Sequence, residues 1–170
     1  TYRFCEYFHH PSVTSRKTIV YNTSDGKAQE TTECFDYDRY GNEIARWTTL
    51  AEGQQQNEEY KVSTTYDYTY NIPLTSVYKI DENTTVRTEN ILTSDRRNIA
   101  QTMVYENDVL VARSDYDYDS FGNRVETRVY TSFSPMQYNS TTYGYREGAF
   151  LETVTIDGIV DADGNAVGSL

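Results

Sequence analysis

Asp115, Asp117 and Asp119 stand two residues apart and are followed by Asn123 and Glu126. Oxygen ligands at alternate positions let a short loop wrap a hard cation such as calcium, with glycine at the sixth place for the sharp turn. Ser120 holds that place here, and Gly122 comes two residues late. On a strand, side chains alternate between faces, so the three carboxylates share one face and Tyr116 and Tyr118 the other. A solvated acidic face is the expectation, with no metal and no cofactor. Asp161, Asp163 and Asn165 form a similar cluster that a turn explains better. His9-His10 precedes Pro11, and neighbouring side chains on an extended chain diverge, which suits chelation poorly. With only these two histidines, a Ser–His or Cys–His mechanism has no support. The acids are numerous enough for a glycosidase-like pair, but no feature singles out two of them. An enzyme is therefore not expected. Trp47, with the many tyrosines near it, is the candidate for stacking on a sugar, although aromatic ladders between strands serve packing equally well.

The elements that would position these groups are strands. The 170 residues include 17 Tyr, and long aliphatic runs are absent. Tyr and Thr favour pleated surfaces, where a ring covers the sheet and its hydroxyl stays wet. Alternation at period two predicts strands at 2–7, 17–21, 30–37, 44–49, 60–68, 75–80, 84–91, 99–105, 109–118, 124–131, 141–145 and 149–156. Such a chain makes a thin, spread-out core.

The turns between the strands recur. Asp38-Arg39-Tyr40-Gly41-Asn42 and Asp119-Ser120-Phe121-Gly122-Asn123 share one pattern, in which Asp accepts a backbone N–H two residues on. Gly in the fourth place takes positive φ and forms the bulge that matches strand twist. Asp161 to Asn165, with Gly164, repeats it. Asp95-Arg96-Arg97-Asn98 is a weaker copy with Asn98 in the glycine place, and 145–148 keeps only the glycine. Two-residue turns are expected at Asn107-Asp108 and Asp157-Gly158. The best copies are 35–47 and 116–128, with weaker ones near 66–78, 92–105, 143–155 and 156–167. Together they make one hairpin-repeat domain over 1–170, with about 20–30 residues per unit.

Tyr37-Asp38 with Gly41-Asn42, and Tyr118-Asp119 with Gly122-Asn123, resemble the unit of the RHS/YD-repeat family. That resemblance implies an all-β fold of tandem antiparallel hairpins in an extended, twisted sheet. It also implies a non-enzymatic scaffold for encapsulation or adhesion in a secreted or cell-surface bacterial protein, or a periplasmic one. The alternative is a carbohydrate-binding or adhesive surface module using exposed aromatics. The Asp-Pro signature of the family's shell-closing region is absent, and hairpin patterning runs to Val167. The expected partners are neighbouring repeats of a longer chain, or a protein or glycan.

The net charge of −11 and the scattered Lys and Arg argue against nucleic acid and anionic membranes. No apolar run approaches the roughly 20 residues of a membrane helix. A chain that opens directly on a strand-like pattern reads as a mature or excised piece. Cys5 and Cys34 are either bridged or two buried thiols. Asn22, Asn83 and Asn139 head formal glycosylation triplets that chance explains in so Thr-rich a chain.

Overall fold

The computed structural model describes residues 13–21, 28–50 and 60–167. Eleven strands follow one another: β1 (Ser15–Tyr21), β2 (Ala28–Tyr37), β3 (Glu43–Leu50), β4 (Val62–Asp67), β5 (Ile72–Lys79) and β6 (Thr85–Leu92). Then come β7 (Ile99–Glu106), β8 (Val109–Tyr118), β9 (Arg124–Phe133), β10 (Met136–Arg146) and β11 (Phe150–Asp161). They form one open sheet in sequence order, every neighbouring pair antiparallel. The all-β hairpin array read from the sequence is therefore the fold. The expected strand at 2–7, His9-His10, Cys5 and Asn22 lie outside the described residues.

The accessible surface is 12555 Å², against roughly 8,600 Å² for a folded globule of this mass. Among the described residues only Phe35, Ala45 and Val86 are buried apolar side chains, and none is fully enclosed. Stability must come from the ladder itself and from side chains paired across it. Arg16 bonds Glu33 at 2.8 Å and lies 6.0 Å over the Phe35 ring. Farther along, Thr65 and Thr75 share a 2.6 Å hydroxyl contact. Such pairs add about 0.2–1 kcal/mol each.

Each hairpin that turns at one long edge of the sheet carries a bulge at the same place. Register slips between Asp36 and Tyr37, Thr65 and Tyr66, Ile91 and Leu92, Asp117 and Tyr118, and Gly144 and Tyr145. The extra residue on the returning strand is Ile44, Leu74, Ala100, Val125 and Glu152 in turn. A bulge bends its strand, sharpens the twist and re-aims neighbouring side chains. The re-aimed residue is the tyrosine before the turn, or Leu92 in the third hairpin.

Asp157-Gly158 does not make the expected two-residue turn. Both residues lie inside β11, where Ser140 faces a register slip between Ile156 and Ile159. Glycine inside a strand marks a bulge as readily as a corner, and pairing with β10 on both sides keeps this strand continuous. Asn107-Asp108 does turn, with φ of 47° and 64° as a two-residue type I′ corner requires.

Candidate functional site: the turn edge and its tyrosine clips

Asp38 closes the β2–β3 turn. Its Oδ1 accepts the Tyr40 N–H at 2.8 Å and the Asn42 N–H at 3.0 Å, while its carbonyl accepts the Gly41 N–H at 3.1 Å. Asp119 repeats this, accepting the N–H groups of Phe121 and Asn123, both at 2.9 Å. Gly41 and Gly122 stand at φ 84° and 86°, where a Cβ would be strained. Asp161 accepts Asp163 and Asn165 in the same way, with Gly164 at φ 83°. That turn sits at the opposite edge, because β11 runs away from the others; after it, Ala166 pairs with Val160.

The donors set the charge state. In Asp119 the Asn123 side chain leads the donors that hold the carboxyl below its usual value. In Asp161 the Asn165 N–H leads. In Asp38 slight burial pushes upward, and the Asn42, Tyr40 and Gly41 donors together outweigh it.

The third-hairpin turn is displaced from the expected Asp95–Asn98. Arg96 N–H bonds the Thr93 carbonyl at 2.8 Å, and Arg96, rather than Asn98, takes positive φ at 62°. Thr93 stands in the aspartate's place, and its hydroxyl accepts the Asn98 N–H at 3.2 Å. Asp95 instead accepts the Thr93 hydroxyl at 2.6 Å and the Arg97 N–H at 3.2 Å. A threonine oxygen caps as aspartate does, which moves the corner two residues toward the N-terminus.

The asparagine after the glycine ties one turn to the next. Asn42 Nδ2 donates to Asp38 at 3.0 Å and to Asn71 Oδ1 at 3.2 Å. Asn123 Nδ2 donates to Asp119 at 2.9 Å and to the Gly148 carbonyl at 2.7 Å. Between the second and third turns, exposed Arg96 pairs with buried Asp67. The aromatic before the glycine leans the same way. Tyr40 lies 5.3 Å from Tyr68, and a Cβ on Gly148 would come within 2.9 Å of Phe121.

The re-aimed tyrosines complete the linkage. Tyr37 donates its hydroxyl to the Val13 carbonyl at 3.2 Å, and Tyr66 to Glu43 at 2.9 Å. Tyr118 donates to Ile99 at 2.9 Å, and Tyr145 to Arg124 at 3.0 Å. Glu43, Ile99 and Arg124 are each the first strand residue after the preceding turn. In the third hairpin, Leu92 has no hydroxyl, and Asn90 Nδ2 reaches the matching Pro73 carbonyl at 3.0 Å. These hydroxyls are therefore bonded rather than simply wet. The signal available in the sequence was the recurrence of Tyr-Asp and Gly-Asn; where the Tyr and Asn point was not.

On one face, Asp115 and Asp117 sit together, while Asp119 has left the strand for its turn. The face is paired throughout, with Asp115 buried and Asp117 still exposed to solvent. Buried Asp115 accepts Arg113 at 2.7 and 2.9 Å, Gln101 at 2.8 Å and Tyr130 at 2.9 Å. Burial pushes its carboxyl upward, and these donors outweigh burial and hold it below the usual value. Burial, then the Asp115 contact, pushes the Tyr130 hydroxyl up. Arg128 bridges Asp117 at 2.8 Å and Glu126 at 3.3 Å. Among the described residues no three His, Cys, Asp or Glu side chains converge to hold a metal ion. Trp47 is half-buried opposite Cys34, with Lys61 Nζ 4.7 Å over its ring and 3.3 Å from Asp36. Its Nε1 is buried without a partner. More exposed aromatics lie elsewhere, among them Tyr40, Tyr68, Tyr70 and Phe121 along the turn edge.

The fold and site define an open, hairpin-rich β-sheet whose successive turn-edge hairpins are clipped together. Compared with protein-family models and with curated proteins, the chain has no match.

Proposed function

We propose that this chain is a stretch of a YD-repeat scaffold without enzymatic activity. It would form part of the wall of a secreted or cell-surface bacterial protein that encloses a cargo or adheres to a partner. The observation that carries this reading is the recurring clip, in which each described hairpin at the turn edge is bonded through Tyr, or Asn90, to a main-chain carbonyl of the stretch before it. Stability that depends only on nearest neighbours is what a repeat array needs in order to be extended. The partners on this reading are neighbouring hairpins along β1 and β11. In support, Val167 N–H already bonds the Ile159 carbonyl at 2.8 Å on the outer side of β11.

Electron microscopy of the parent protein tests it. The expected image is a continuous sheet passing through β1 and β11 into further hairpins and curving around a hollow. A solid domain in which β1 and β11 abut unrelated folds would overturn the reading.

A further inference from the structure

Beside the Glu126–Ser140 contact, β11 bulges at Asp157 and Gly158 opposite Ser140. A groove of about 550 Å³ opens there, with Glu126, Tyr138, Ser140, Thr142 and Asp157 among its walls and Gly164 leaving its rim open. Small-molecule sites commonly span roughly 300–1,000 Å³.

The walls specify a chemistry. Ser140, only 6% exposed, donates to Glu126 Oε1 at 2.7 Å and fixes that carboxylate in the floor. The other Glu126 oxygen faces Arg128. No cation pairs with exposed Asp157 among the described residues, so one carboxylate at the groove has its charge unanswered. A calcium ion takes six to eight oxygen ligands, and among the described residues no third acidic, histidine or cysteine side chain converges here. An organic ammonium needs less: one carboxylate for its charge and a few acceptors around it. Tyr138, whose ring lies 5.5 Å from that of Tyr130, lines the groove and would give the C–H face of a sugar an apolar wall, and the Thr142 hydroxyl adds a further hydrogen-bonding group. The overall charge of −11 favours the approach of a cation.

We propose that this groove binds an amino sugar, with the ring stacked on Tyr138, the ammonium at Asp157 and hydroxyls at Glu126 and Thr142. The site goes beyond the scaffold reading and stands or falls without it.

The test titrates the 170-residue chain with a glucosamine trimer, with its fully N-acetylated counterpart and with spermidine, a triamine that has no ring. The trimer should bind, the acetylated trimer should not, and spermidine should bind at least about tenfold more weakly. Asp157→Asn removes one charge-assisted contact from an exposed position and should weaken trimer binding by about tenfold or more. Tyr138→Leu should weaken it comparably while keeping the wild-type circular dichroism spectrum, and Trp47→Ala should leave it unchanged. Absence of trimer binding overturns the proposal. So do equal binding of spermidine or of the acetylated trimer, indifference to Asp157→Asn, and loss on Trp47→Ala.

Discussion

Replacing Tyr118 by Phe deletes one hydroxyl and leaves the ring in place. The lost contact is a 2.9 Å hydrogen bond to the Ile99 carbonyl, half-shielded from water, that joins the fourth turn-edge hairpin to the third. A neutral hydrogen bond of this kind contributes a net 0.5–1.5 kcal/mol, about 1 kcal/mol at the centre of the range. Tyr66→Phe removes the equivalent contact to Glu43 at the same distance. β4 and β8 lie four strands apart, about 19 Å at normal strand spacing. The two losses should therefore add, to roughly 2 kcal/mol in the double variant. Tyr78 supplies the control. It is exposed and its hydroxyl has no partner among the described residues, so Tyr78→Phe should stay within about 0.5 kcal/mol of wild type. Urea titration reads the differences, and thermal melting should show about 2–4 °C lost per kcal/mol in a chain of this length. If both clip variants match Tyr78→Phe, or if the double variant loses no more than either single one, the hydroxyls do not couple the hairpins.

Gly122→Val places a β-branched residue at φ 86° and should destabilise the chain by about 1–3 kcal/mol; an unchanged melting temperature contradicts the role given to that corner. Acid should unfold the protein through its depressed carboxyls, among them Asp38, Asp81, Asp95, Asp115, Asp119 and Asp161. A depressed carboxyl stabilises the fold above its unfolded value, and that stabilisation is lost as pH falls through the folded value. Urea midpoints should thus hold level from pH 7 to 5 and fall below about pH 4, and Asp115→Asn should flatten part of that fall. A midpoint that rises as pH drops from 4 to 3 refutes the linkage.

Period-two alternation located the strands well because a half-buried strand needs little beyond its own side-chain pattern and a corner at each end. Asp38, Gly41, Asp119 and Gly122 were legible for the same reason. A capping oxygen and a residue free to take positive φ act within five residues, so sequence-local chemistry suffices. Asp95–Asn98 was misplaced because Thr93 and Asp95 are both competent caps, and the register of β6 against β7 chose between them. Asp157-Gly158 suits a corner or a bulge equally, and only pairing along the whole of β10 made it a bulge. The destinations of Tyr66, Tyr118 and Tyr145 depended on a register slip repeated in each hairpin and on which carbonyl the preceding strand then presented. Pairing across 19 to 24 residues leaves no mark on local composition. The network around Asp115, the cover on Trp47 and the groove beside Ser140 share that origin. By itself the sequence determined where the chain reverses and which residues line each arm; the assembled sheet decided which side chains meet, because partners on neighbouring strands are brought together by register and not by spacing.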